Sequence, residues 1–304
     1  MNHPPATTAT VDGEVIALLA ALSNPSIKCH QDALRARDSA LSQSNESYTL
    51  TILNFGRVLA CEGIHLIPKE AVSKLQSMDP TSYMQLEHDP TLWRRYREMA
   101  GLLLKNALIK PPLLQQQLQQ HRYGPGERAR LIMVESFDAN AELKHVFLKC
   151  ITDSEVAVRN VAGTCIAAII SNPNLAKGNV LSLDQWPEML SFMTSCLKGE
   201  QNGDNGVNGA FNALVKLCED NPSALDSETL GRPLNTFIPI FLQYFKAPDE
   251  KHRKLALQCM NFLIELMPAA LIVNMNDFLS GLSELANDSN STVRQYVCRS
   301  IVSL

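Results

Sequence analysis

The sequence predicts an all-α chain, built as an α-solenoid of stacked antiparallel helix pairs, and three observations carry that expectation. Nearly every segment between turn signals places apolar residues at i, i+3, i+4 and i+7, while strict alternation over strand length is scarce. Proline punctuates the chain at Asn24-Pro25, Asp89-Pro90, Asn172-Pro173, Asn221-Pro222, Ala247-Pro248 and Met267-Pro268. Each ends one helix or opens the next, which leaves helices of roughly 12 to 20 residues. Third, an Asp-x5-Arg spacing recurs from Asp89 to Arg95, Asp153 to Arg159 and Asp288 to Arg294, with a shortened relative from Asp249 to Arg253.

Each of these Asp residues falls in a turn, and each Arg lies in the following helix, ahead of a small-residue apolar face such as Val161-Ala-Gly or Val297-Cys. Small residues let neighbouring hairpins approach closely, and an Asp-to-Arg ladder can link adjacent turns. Arg95, Arg159 and Arg294 are therefore expected to be structural anchors that reach acidic or carbonyl groups of an adjacent repeat. A single Asp before a helix is an ordinary N-cap. Recurrence at irregular multiples of about 40 residues, the period of HEAT arrays, favours the repeat.

Taken in order, residues 1–11 read as a disordered leader, with no positive region ahead of an apolar stretch to make a secretory signal. Two stretches, near 62–88 and 111–140, lengthen the distance between hairpins and read as insertions, expected as loops on one face. Within the second, Leu113 to Gln120 suits a short extra helix and Tyr123-Gly-Pro-Gly a turn. Leu304 falls inside the apolar periodic run from Val297 without a capping Gly, Asn or Pro, so the last repeat is expected to be truncated and the chain part of a longer protein.

With 304 residues, 45% of them apolar and 19% charged, the chain can bury a large core. A net charge of -4 argues against a surface built to neutralise phosphates, so nucleic acid is not an expected direct partner. No window reaches 18 uninterrupted apolar residues, so no membrane span is expected. The eight cysteines lack a Cys-x2-Cys pair and read as reduced core residues of a cytosolic or nuclear protein.

Chemistry leaves little trace. The seven histidines show no ligand spacing, and Cys29-His30, being adjacent, cannot share one helical face, so they read as a packed Cys beside a solvated His. Gly199 to Gly209 is Gly-rich, but no strand precedes it and no Lys-Ser/Thr follows, so it reads as a loop. No catalytic residue, cofactor or metal is expected, and the chain is expected not to be an enzyme. Trp186, before Pro at a helix start, reads as an anchor burying its ring; Trp93 fits either burial or a ligand. Arg94, Arg95 and Arg97 read as a solvated surface. Glu219, Asp220, Asp226 and Glu228 form an acidic cluster with no Lys or Arg between residues 218 and 228. Acid at a helix C-terminus opposes the macrodipole, so this cluster is a candidate binding surface beside the plainer reading of a solvated loop.

Three segments carry a family resemblance. Tyr96-Arg-Glu-Met-Ala-Gly-Leu-Leu-Leu-Lys-Asn-Ala-Leu resembles a B helix of the importin-β N-terminal domain, through its Leu-Lys-Asn run. Asp184-Gln-Trp-Pro-Glu-Met-Leu resembles the Trp-Pro-Asp/Glu-Leu-Leu opening of a later A helix, and the stretch from Gly209 to Phe245 resembles the transportin (karyopherin β2) branch. The resemblance covers about residues 12 to 61, 89 to 110 and 141 to 304. It implies a right-handed superhelix of HEAT repeats, with residues 12–304 forming an N-terminal arch of about six repeats. It further implies a shuttling nuclear import receptor, present in cytoplasm and nucleus, whose N-terminal arch binds Ran in its GTP form and so releases cargo. Glu219, Asp220 and Asp226, with Lys105 and Asn106 of the Leu-Lys-Asn run, become candidate Ran contacts. Cargo bearing a proline-tyrosine nuclear localisation signal would bind a C-terminal arch beyond Leu304, and nucleoporins are implied as further partners. The alternative is a generic HEAT-repeat scaffold subunit of phosphatase or coat type.

Overall fold

In the computed structural model, residues 11–23, 26–109, 137–171 and 183–304 are described, and among them every regular element is helical. Residues 1–10 of the leader, the turns at Asn24-Pro25 and Asn172-Pro173, and the segment from Leu113 through Tyr123 lie outside the described residues, while Val11, read with the leader, is buried. Two compact units divide the chain, residues 1–150 and 151–304.

In the first unit, α1 (Gly13–Ser23) packs on α2 (Ile27–Ser42), and α3 (Asn45–Ala60) packs along the long α6 (Pro90–Ile109). Between these pairs, residues 62–88 form a short turn of 3-10 helix at Ile64–Leu66, then α4 (Lys69–Met78) and α5 (Pro80–His88). Helix α4 buries Ala71 and Leu75 and packs against α1. Contact is close enough that a Cβ on Gly13 would stand 2.5 Å from the Ala71 carbonyl oxygen. The carbonyls at the end of α3 are taken up by side chains from α6 and from α7 (Phe137–Ile151). Arg97 Nε donates to Leu59 O at 2.9 Å, Lys149 Nζ to Ala60 O at 3.0 Å and Trp93 Nε1 to Cys61 O at 2.9 Å. A helix end leaves its last carbonyls without intrahelical partners, so these three donors satisfy groups that burial would otherwise strand. Arg57 on α3 adds a two-pronged ion pair with Glu142 on α7, at 2.6 and 3.1 Å.

In the second unit, α8 (Val156–Ile170), α10 (Gly203–Asp220), α13 (Glu250–Ile264) and α16 (Ser291–Ser303) lie side by side in one layer. Gln258 and Asn261 on α13 meet Tyr296 and Ser300 on α16 in ascending order on both, so these helices run in the same direction. A second layer holds α9 (Pro187–Leu197), α12 (Leu234–Tyr244) and α15 (Met275–Leu285), which pair with α10, α13 and α16 in turn. Short helices α11 (Pro222–Leu225) and α14 (Ala269–Val273) turn the chain between pairs. Phe211, Phe237, Phe241 and Phe278 fill the space between the layers and are fully buried. Stacked antiparallel pairs of this kind are the HEAT-type α-solenoid arrangement.

Close approach of the long helices depends on small residues, as the sequence implied. A Cβ on Gly163 of α8 would lie 3.1 to 3.3 Å from the Cα, N and Cβ of Ala213 on α10, and two of those atoms are backbone that cannot swing aside. Gly163→Val is expected to force α8 and α10 apart and cost about 1–3 kcal/mol, read as a lowered urea midpoint. A midpoint equal to the wild type's would show that the helices are not in such close contact.

The recurring arginines work differently from expectation. Arg159 Nη1 donates to the carbonyls of Asp153 and Ser154, at 2.5 and 2.9 Å. Arg294 does the same to Asp288 and Ser289 at 2.6 and 3.1 Å, and Arg253 to Ala247 and Pro248 at 2.8 and 2.9 Å. In each case one guanidinium nitrogen folds back on its own hairpin turn, six and five residues upstream, and Arg159 and Arg294 make no hydrogen bond to an adjacent repeat among the described residues. Asp249 is therefore not the counterpart of Asp153 and Asp288; Ala247 stands in that place, and Asp249 caps α13 by accepting from Lys251 N at 2.8 Å. The bond between repeats is instead Arg253 to Asp288, two-pronged at 2.6 and 3.0 Å. Arg95 is exposed and makes no hydrogen bond among the described residues.

Candidate protein-binding surface

Helix α10 buries Gly206, Val207, Gly209, Ala210, Phe211, Ala213, Leu214, Leu217 and Cys218, which fixes its remaining side as the open one. Glu219 and Asp220 are its last two residues, both exposed and without a hydrogen bond or ion pair among the described residues. They sit where the helix's partial negative charge gathers, so neither is there for the helix's sake. Asp226 and Glu228 behave otherwise. Arg232 pairs with Glu228 and lies 3.9 Å from the Asp226 carboxylate, in a turn where Gly231 and Arg232 have φ of 70° and 53°. Asp226 Oδ1 is buried without a hydrogen bond. The apparent run of uncompensated acid therefore splits into a free pair and a pair clamped on a cation four residues beyond the window.

Lys105 and Asn106 belong to the first unit, on α6, where Lys105 borders the buried face of Trp93, Tyr96, Arg97, Ala100, Gly101 and Leu104 and Asn106 lies on the far side. Lys105 is half-buried and Asn106 exposed. Trp186 is 1% exposed at the head of α9, directly before Pro187. Trp93 is buried too, which settles its two readings in favour of burial. Arg97, expected on a solvated surface, is instead 2% exposed and caps α3, while Arg94 and Arg95 are exposed. Cys29, expected to be packed, is exposed, and the neighbouring His30 bonds the Leu22 carbonyl through Nδ1 at 2.9 Å. Cys298 is also exposed and Cys61 half-buried, whereas Cys150, Cys165, Cys196, Cys218 and Cys259 are core residues. Among the described residues no group of three or more His, Cys, Asp or Glu is placed to hold a metal, and no helix is long and apolar enough to cross a membrane.

Stacked antiparallel helix pairs with one open face of long helices define a protein of the helical-repeat, α-solenoid class. The particular likeness is to transportins. Mouse Transportin-1 is 40% identical over 162 residues, which are 53% of this chain and 17% of that protein. Rice (Oryza sativa subsp. japonica) Transportin-1 is 33% identical over 207 residues, 66% of this chain and 19% of that protein. Importin subunit beta-2 of Schizosaccharomyces pombe is 30% identical over 209 residues, 68% of this chain and 20% of that protein. The chain thus spans a fifth or less of the length of these relatives. Among solved structures, Kap95p, whose binding induces the switch loops of RanGDP to adopt the GTP-bound conformation, matches with a TM-score of 0.64 at 18% identity, over 95% of this chain and 28% of that one. At that identity the match speaks for the fold alone. No family model matches the chain. The resemblance first carried by Leu104-Lys-Asn, Trp186-Pro and the stretch from Gly209 to Phe245 is a resemblance to the transportin branch of the importin-β superfamily.

Proposed function

We propose that this chain is the Ran-GTP-binding N-terminal part of a transportin-like nuclear import receptor, and that Ran binding here is coupled to release of cargo bound elsewhere on the same protein. The observation that carries this reading is the 40% identity to Transportin-1 within a helical-repeat fold. Residues 12–304 then form a single N-terminal arch, with 62–88 and 111–140 as its insertions. The working protein shuttles between cytoplasm and nucleus, binds nucleoporins as well as Ran, and takes cargo with a proline-tyrosine localisation signal on repeats outside this chain. It acts by binding rather than by catalysis.

Retention of purified Ran loaded with GTP, but not with GDP, on the immobilised chain is the expected result. Equal retention of both forms, or of neither, would instead favour a generic HEAT scaffold of phosphatase or coat type.

Glu219, Asp220 and Asp226 are assigned to the surface that meets Ran, with Lys105 and Asn106 as further contacts. Charges at an interface rim chiefly steer encounter. The double substitution Glu219→Lys, Asp220→Lys should slow association by about three- to tenfold at low salt. The loss should shrink as added salt shortens the screening length to about 10 Å at 0.1 M. Stability should move by no more than about 0.5 kcal/mol, because both residues are exposed. Equal association rates at low salt, with circular dichroism unchanged, would leave the cluster a solvated loop.

A further inference from the structure

The open face of the long-helix layer in the second unit carries a different pattern, made of side-chain amides and cations. We propose that this strip, running from α8 across α10 and α13 to α16, binds an extended acidic peptide segment of a partner protein, with its main chain on the amides and its carboxylates on the cations.

The amides come first. Asn212 on α10 donates its Nδ2 to Asn160 Oδ1 on α8 at 2.9 Å. That pairing leaves Asn160 Nδ2 and Asn212 Oδ1 with no hydrogen bond among the described residues. One donor beside one acceptor is the complement of the C=O and N–H of a peptide main chain. One turn earlier on α10, Asn208 is fixed by donating to Asp204 O at 2.8 Å, which leaves its Oδ1 open. Gln258 on α13 donates to the Tyr296 hydroxyl on α16, leaving Oε1 open. Each amide is held at one end and presents the other, so little rotamer freedom remains to be lost on binding. Packed helix axes lie about 8–10 Å apart, close to three residues of an extended chain, so a strand crossing the layer brings main-chain groups to successive helices in step.

Charge then selects the kind of peptide. From Val156 to Ile170, Asn205 to Cys218, Lys251 to Ile264 and Ser291 to Ser303 there is no Asp or Glu at all, in a chain whose net charge is -4. Lys216 and Lys254 are half-buried on these helices and have no ion pair or hydrogen bond among the described residues. Arg299 lies over the half-exposed Phe262 ring, 5.8 Å from its centre, and adds a third cation beside an apolar surface. The carboxylates of α10 and α13 stand at the helix ends, Glu219 one turn beyond Lys216 and Glu250 one turn before Lys254. The middle of the strip is therefore complementary to an acidic partner, and the acid at the ends would repel a peptide displaced along the helices. A nucleic acid matches less well, because the paired donor and acceptor of the amides answer a peptide main chain, and a phosphate backbone offers acceptors without an N–H.

The test uses the whole 304-residue chain and a fluorescent alternating Glu-Ser peptide of about ten residues, long enough to cross three helices. Saturable anisotropy is expected for this peptide and not for its Lys-Ser counterpart. Methylating alternate main-chain nitrogens should weaken binding about tenfold, and Asn212→Ala about fivefold. Lys216→Glu with Lys254→Glu should weaken it more than about tenfold, circular dichroism confirming the fold in both variants. No saturable binding of the acidic peptide, equal binding of the basic one, or insensitivity to main-chain methylation would overturn the proposal. So would tighter binding of an oligothymidylate of similar length, which would mark the strip as a polyanion site.

Discussion

Trp186→Ala is expected to destabilise the 151–304 unit by about 3–5 kcal/mol. The ring is 1% exposed and stands at the point where the chain enters α9, so its removal leaves a cavity at the start of a helix that opens on Pro187. Helix α9 pairs with α10 and touches α12, and in a stacked array a loosened element weakens its neighbours' interfaces as well as its own. Urea unfolding followed by far-UV circular dichroism should show the midpoint of the second unit falling by about 1–2 M. Because Trp93 and Trp186 are the only tryptophans, fluorescence of the variant reports Trp93 and hence the first unit alone. Trp186→Phe should retain most of the stability. A loss below about 1 kcal/mol for the alanine variant would mean that the ring is not an anchor.

The helices were legible because burial of one face imposes a 3.6-residue pattern that side-chain identity records directly. What the arginines do was not. A sequence displays side chains, and the aspartates at Asp153 and Asp288 drew attention, yet the groups that Arg159, Arg253 and Arg294 bind are turn carbonyls, which every residue carries. The Arg253 to Asp288 bond joins residues 35 apart and exists only because α13 and α16 pack in register, so no local spacing announces it. Arg97 had a usable signal that the run of arginines hid. It lies four residues after Trp93 and ahead of Ala100, Gly101 and Leu104, on the buried side of α6.

The candidate surface was legible in part for similar reasons. Glu219 and Asp220 stand free as their sequence suggests, but Arg232 is brought onto Asp226 and Glu228 by the left-handed turn at Gly231. The amide strip could have been suspected from Asn160, Asn208 and Asn212 alone. Asparagine is a poor residue for a helix interior, costing roughly 0.7 kcal/mol against alanine, so three of them in two adjacent helices ask for a reason other than helix formation. Their pairing across α8 and α10 depends on the closeness that Gly163 and Ala213 permit.

Arg253→Met is expected to lower stability by about 3 kcal/mol at neutral pH, because it strands a nearly buried carboxylate. The Asp288 side chain is 5% exposed, and its carboxyl is held below the usual carboxylate range first by the Arg253 guanidinium and then, against the opposing effect of burial, by the Asn290 N–H. The sign follows from that direction. A carboxyl with a depressed folded-state pKa contributes stability that is present above the unfolded value of about 3.9 and lost as pH falls through the folded value. Without Arg253 the main cause of the depression is gone and burial favours the protonated acid, so the variant can neutralise Asp288 at a higher pH than the wild type. The stability gap between the two should therefore narrow as pH falls from 7 toward 3, as read from urea midpoints at each pH. Arg253→Met combined with Asp288→Asn, which removes the stranded charge, should recover part of the loss at pH 7. A gap that stays constant with pH, or a double variant no more stable than Arg253→Met, would mean that Arg253 stabilises through its bonds to the Ala247 and Pro248 carbonyls and that the link to Asp288 contributes little.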